Sequence, residues 1–201
     1  MKSYLSIDID FWNDQKTNTA KKALEKLFNK AKKCGIPIQS VMNHQQLTPF
    51  VNKSGADTLI NIDTHSDLGD TYVDYFSCGS WVSYIQWRQK GTYIWYHRLS
   101  IGEGECNNME PIFLNNKLPR IDLTDWQTIK RHKVRKMVST RKLLKNCVAI
   151  GFVMSPAYSD DDLIVLFKEL VKKYDIPYKK GVLNEDDFST ARRPPFSKRA
   201  A

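Results

Sequence analysis

No run of apolar residues in this chain approaches the roughly 20 that span a bilayer as a helix, so a membrane-embedded reading is excluded at the outset. No Cys-x-x-Cys pair occurs among the four cysteines, Cys34, Cys78, Cys106 and Cys147. That excludes a zinc knuckle and a thioredoxin-type redox pair. There is also no internal repeat. The opening residues carry a single Lys, and Asp8 and Asp10 interrupt the apolar stretch too early for a secretory signal. The expectation is an opening strand in a cytoplasmic protein with free thiols and no membrane association.

What is present is an ordinary globular composition over 201 residues, enough for one domain with a real core. Residues 1–185 are expected to form that single α/β domain. Residues 186–201, with Arg192, Arg193, Lys198 and Arg199, read as a basic, disordered tail. The net charge of +9 inclines the surface towards anionic partners, and the segment from Lys130 to Lys145 holds eight basic residues and no acid.

Short apolar strands are predicted at Ser3–Asp10, Pro37–Met42, Asp57–Asp63, Thr92–Tyr96 and Cys147–Met154. Between them, apolar residues at spacings of three and four predict helices over Thr17–Cys34 and Asp160–Tyr174, the second capped by Ser159. Shorter helices are expected at Leu47–Val51 and Ser80–Gln89, and the basic segment is read as partly helical. Residues 107–127 read as irregular, with at most an edge strand at Arg120–Leu123. Strands alternating with helices imply a three-layer α/β fold, a mainly parallel sheet flanked by helices.

The densest chemistry lies in Asp63-Thr64-His65-Ser66-Asp67, behind the apolar Leu59–Ile62. If the strand continues, a period of two places Asp63, His65 and Asp67 on one face. If it ends near Asp63, the three crowd the loop at the strand's carboxyl end, where open α/β sheets place their ligands. For a lone Asp-x-His, a capped polar strand end would be the plainer account. Here the first strand also ends in Asp8-x-Asp10 and the second runs into His44. Parallel strands bring all three ends to one edge of the sheet. Carboxylates held so close repel one another, which calls for a cation between them. Oxygen and imidazole donors without thiolate favour a hard or borderline ion such as Mn²⁺. Six donors suffice for two ions about 3.5–4 Å apart that activate one water.

Asp63-Thr64-His65-Ser66-Asp67 resembles the Asp-x-His-x-Asp metal motif of the arginase–deacetylase (ureohydrolase) superfamily, and Ser6-Ile7-Asp8-Ile9-Asp10 resembles its Ser-x-Asp-x-Asp motif. His44 resembles its lone upstream metal-binding His. The order is permuted, because in arginases the Asp-x-Asp motif comes last. Asn43-His44-Gln45-Gln46-Leu47-Thr48-Pro49 and Trp95-Tyr96-His97 are similar to segments of the arginase-like family that includes peptide arginases. The resemblance spans roughly residues 4 to 100. It implies an arginase/deacetylase-like fold with two Mn²⁺ per chain on Asp8, Asp10, His44, Asp63, His65 and Asp67. It also implies a bridging hydroxide that attacks a guanidino carbon, turning arginine, in a peptide or protein, into ornithine and urea.

That chemistry needs an acid for the leaving amine and a carboxylate for the guanidinium. His97, at a strand end, is the candidate proton shuttle, with Asp67 among the catalytic set. Glu103 and Glu105 are the candidate guanidinium holders, in competition with Asp70 and Asp74. Ser155-Pro156-Ala157-Tyr158 is a candidate pocket lining, although turn chemistry explains Ser-Pro equally well. Trp81, Tyr84, Trp87, Tyr93 and Trp95 read as core. One alternative keeps a metal but hydrolyses an amide, as the deacetylase branch does with a single zinc. The other is a nucleic-acid- or anion-binding regulatory protein using residues 130–145, where a merely solvated basic face is the commoner outcome.

Overall fold

The computed structural model describes residues 1–67, 79, 81–85, 91–98, 126–134 and 137–179. Seven parallel strands form one sheet in the order β5-β4-β3-β1-β6-β2-β7. They are β1 Ser3–Asp8, β2 Ile38–Val41, β3 Thr58–Ile62, β4 Gly91–His97, β5 Trp126–Lys133, β6 Cys147–Val153 and the two-residue β7 Tyr178–Lys179. Helices α1 (Thr17–Lys33), α2 (Thr48–Ser54), α3 (Thr140–Leu143) and α4 (Asp161–Tyr174) connect them. Every residue of β1 and of β3 is buried, as a sheet covered on both faces requires.

The period of two sorts the central strands between two cores. Leu5 and Ile7 of β1, with Ile60 and Ile62 of β3, pack on one side with Leu24 and Phe28 of α1 and Leu166 and Phe167 of α4. Tyr4, Leu59, Tyr93 and Trp95 face the other side, with Leu47, Val51 and Trp81. Alternation therefore points Ser6, Asp8, Asn61 and Asp63 towards the second side. α1 stops where Gly35 takes φ +66°, a left-handed turn that glycine adopts without strain.

Several boundaries differ from the sequence reading, each for a local reason. β1 ends at Asp8 rather than Asp10: the Asp8 carboxylate accepts the Asp10 N–H at 3.1 Å and caps a 3-10 helix, Ile9–Trp12. β3 ends at Ile62, so Asp63 to Asp67 form a loop and not a strand face. α4 starts from Asp160 with no side-chain cap, because the Ser159 hydroxyl donates instead to the Met154 carbonyl at 2.8 Å. The start of the basic segment, through Lys133, belongs to β5, which takes in Trp126 and Gln127; the only helix described within that segment is the four-residue α3. Trp81–Tyr84 is a 3-10 helix, and residues 86–90 lie outside the described set. The expected edge strand at Arg120–Leu123 and the tail from 186 lie outside it too.

No helix among the described residues is long and apolar enough to cross a membrane. Cys34 and Cys147 are free thiols.

Candidate metal centre

Because β1, β2 and β3 run parallel, their carboxyl ends deliver Asp8, His44 and Asp63 to one edge of the sheet. His44 opens a 3-10 helix, His44–Leu47, directly behind β2. Its Nδ1 lies 3.2 Å from Asp8 Oδ2, 3.2 Å from Asp63 Oδ2 and 2.9 Å from Asp67 Oδ2. Beside it, His65 Nδ1 lies 3.3 Å from Asp10 Oδ2 and 3.7 Å from Asp63 Oδ1. Two donor groups result, Asp8–His44–Asp63 and Asp10–Asp63–His65, with the ligand atoms of each within 4.8 Å of one another. Asp63 belongs to both, and turns one carboxylate oxygen to each imidazole.

The supports come from further along the chain. Ser6 Oγ lies 2.9 Å from His44 Nε2, which leaves Nδ1 to face the carboxylates. Trp81 stacks on the His44 ring at 5.1 Å and donates its Nε1–H to Asp67 Oδ2 at 2.6 Å. Asp67 reaches His44 because its backbone is left-handed, at φ 54°, a conformation Asp tolerates better than most residues. Asn61 donates to Asp63 Oδ2 at 3.2 Å, the His65 N–H to Asp63 Oδ1 at 2.8 Å, and Trp95 Nε1–H to the Asp63 carbonyl at 3.0 Å. The Tyr93 hydroxyl donates to the Ser66 carbonyl, and the Ser155 hydroxyl to Asp8 Oδ2, both at 2.5 Å. The aromatics read as core are core, and they also hold the ligand loop.

The electrostatics are those of crowded, buried acids. Burial pushes the Asp8, Asp10 and Asp63 carboxyls up, reinforced by one another and, for Asp63, by Asp67; Asp10 is carried to about 6. Burial alone would lower His44, but Asp67, Asp63 and Asp8 together hold it up to about 10. His65 is likewise pulled down by burial, and raised past that to about 12 by its hydrogen bonds and charge interactions with Asp10 and Asp63.

Does the donor set fit divalent ions? Asp10 Oδ2 is buried with no hydrogen-bond partner, the kind of orphaned oxygen that calls for a cation. The donors are oxygens and imidazole nitrogens only, in two groups sharing one carboxylate, as a pair of Mn²⁺-like ions requires. They fit.

A cavity of about 160 Å³ opens over the centre, lined by Asp8, His44, His65, Asp67, Gly79, Ser155 and Tyr158. The six expected ligands are thus brought together. His97 is not brought into that lining: it is buried, stacked on Trp95 at 4.4 Å, with Nδ1 3.1 Å from the Arg98 carbonyl. Glu103, Glu105, Asp70 and Asp74 lie outside the described residues. Sequence reasoning missed the parts played by Asn61, Trp81, Tyr93 and Trp95. Their signal was weak: an amide one strand period before Asp63, and aromatics whose polar edges find partners only once the sheet is assembled.

Set against family models, curated proteins and solved structures, the chain matches none of them.

Proposed function

We infer that this protein is a binuclear, Mn²⁺-dependent hydrolase that cleaves a guanidino group, converting arginine, within a peptide or protein, to ornithine and urea. The observation that carries this reading is Asp63, whose two oxygens face two separate imidazole–carboxylate groups. A single-ion amide hydrolase has no use for the second group, Asp10 with His65.

Two divalent ions held there would supply a water acidic enough to act as a nucleophile at neutral pH. The chain's own residues do the positioning. Ser6 fixes the His44 tautomer, Trp81 and Asn61 orient Asp67 and Asp63, and Ser155 holds Asp8 from the cavity side. In the net reaction water adds to the guanidino carbon, the bond to the side-chain nitrogen breaks, and the amine leaves carrying a proton. The unpaired Cys34 and Cys147 support placing the protein in a reducing compartment such as the cytoplasm.

The test is urea release from Nα-acetyl-arginine amide and from an arginine-containing peptide by Mn²⁺-loaded protein. Release by the wild type and none by Asp63→Asn is the expected result. Wild-type protein with both ions bound and no urea from either compound would overturn the guanidino assignment.

Exposed Lys130, Lys133, Arg141, Lys142 and Lys145 favour, as a second reading, an additional anionic partner such as nucleic acid. Its mark would be binding that falls steeply with salt.

A further inference from the structure

The cavity has an aromatic wall that ligand geometry does not account for. Tyr158 lines it and is 52% exposed. Its ring meets His65 at 5.2 Å between centroids and 61° between planes. A contact so far from parallel covers at most one of the ring's two faces. His65 is the more open imidazole, its side chain 30% exposed against 2% for His44. Tyr158 therefore stands where the cavity opens, not at its floor.

Backbone bonds hold the ring there. Ser155 turns the chain at φ 43°, a left-handed conformation that costs a residue with a Cβ and persists where surroundings impose it. The Ser155 carbonyl then accepts the N–H groups of Tyr158 at 2.9 Å and Ser159 at 3.0 Å. From the other side Asn13 Nδ2 donates to the Tyr158 carbonyl at 2.6 Å, and Asn13 Oδ1 accepts the Asp160 N–H at 3.2 Å. A large ring is thus fixed in an exposed place at the mouth of a polar cavity.

Charge says what such a ring is for. The four ligand carboxylates would balance two divalent ions, so the loaded centre has no net negative charge left to draw in a cation. Another carboxylate at the mouth would compete for the ions. The face of a tyrosine attracts a cation without doing so. We propose that Tyr158 is a specificity-determining residue whose exposed ring face receives the cationic end of an arginine-type side chain as it enters past His65. This rests on the guanidino reading above.

The test uses full-length Mn²⁺-loaded wild type, Tyr158→Ala and Tyr158→Phe, with metal content measured first to establish that the centre is intact. Two probes are compared. KM for Nα-acetyl-arginine amide is read from urea release. The Kd for Nα-acetyl-trimethyllysine amide, a cation with no carbon for water to attack, is read by calorimetry. Tyr158→Ala should raise both by about five- to thirty-fold, with kcat moved far less than KM, and Tyr158→Phe should restore both. Unchanged constants in Tyr158→Ala would overturn the proposal, as would a wild type that does not bind the trimethyllysine probe. A Tyr158→Phe protein as poor as the alanine variant would also overturn it, because the hydroxyl and not the ring would then matter. A wild type that binds two ions and the trimethyllysine probe but releases no urea would retire the guanidino reading alone; the calorimetric comparison would still decide the role of Tyr158.

Discussion

Protons and metal ions compete for the same six side chains, and this sets how the centre responds to pH. In protein stripped of metal, the folded state keeps protons on Asp10 up to about 6, on His44 up to about 10 and on His65 up to about 12. The unfolded chain releases them near the ordinary 3.8 and 6.5. The folded form thus binds more protons, and its stability must fall as pH rises. The imidazole contribution is fully present below 6.5 and is lost as pH climbs through about 10. The stripped protein should accordingly melt at progressively lower temperature between pH 7 and pH 9.5, while the gain in melting temperature on adding Mn²⁺ grows, since metal must displace those protons. Scanning calorimetry at three pH values checks both; a stripped protein that becomes more stable with pH would contradict the charge arrangement.

Individual ligands should also be unequal. Asp63 serves both groups and Asp10 only one. Asp63→Ala should abolish retention of both ions, whereas Asp10→Ala should weaken one far more than the other while circular dichroism stays native-like. Elemental analysis after desalting separates these outcomes. Equal loss in the two variants would deny Asp63 its shared position.

At the scale of elements, the centre depends on how closely the 3-10 helix bearing His44 lies against β6. Gly151 leaves room for this: a Cβ there would stand 2.6 and 2.7 Å from the two methyls of Leu47, three residues beyond His44. Gly151→Ala should cost about 1–3 kcal/mol through overpacking and weaken metal binding by displacing His44. Denaturant melts and Mn²⁺ titration test this, and a variant unchanged in both would show that the helix has slack. Trp81→Phe keeps a ring beside His44 but removes the donor to Asp67, and about 10-fold weaker metal binding is expected, in the range seen when such outer partners are lost.

Elements are also where the sequence was most and least informative. Strands β1, β3 and β6 were legible because a doubly covered parallel strand is a short apolar run. The meeting of Asp8, His44 and Asp63 followed from parallel connectivity alone. The 3-10 turn at Asp10 was not legible, since Ser-Ile-Asp-Ile-Asp reads equally well as a continuing strand until Asp8 is seen accepting the Asp10 N–H. Nor was β5, whose lysines and arginines mask the period of a strand at the edge of the described sheet. The grip of Trp81 and Trp95 on the ligand loop is a long-range matter that no local pattern encodes.

Taken as a whole molecule, the fold divides labour between the two sides of its sheet. One side is an apolar core with α1 and α4, where Phe28, Phe152 and Phe167 pack ring against ring. The other carries Tyr4, Trp81, Tyr93 and Trp95 up to the carboxyl edge, where their polar atoms and those of Ser6 and Asn61 meet the ligands. Buried acids are costly without a counter-charge, and so a scaffold that gathers four of them around two imidazoles is built for cations.

Metal stoichiometry tests that claim most directly. Purified protein loaded with Mn²⁺ and then desalted should retain about two ions per chain by elemental analysis, the number that two donor groups sharing Asp63 would hold. A chain that stays empty, or holds a single zinc in preference to Mn²⁺, would contradict the binuclear centre and the hydrolase built on it.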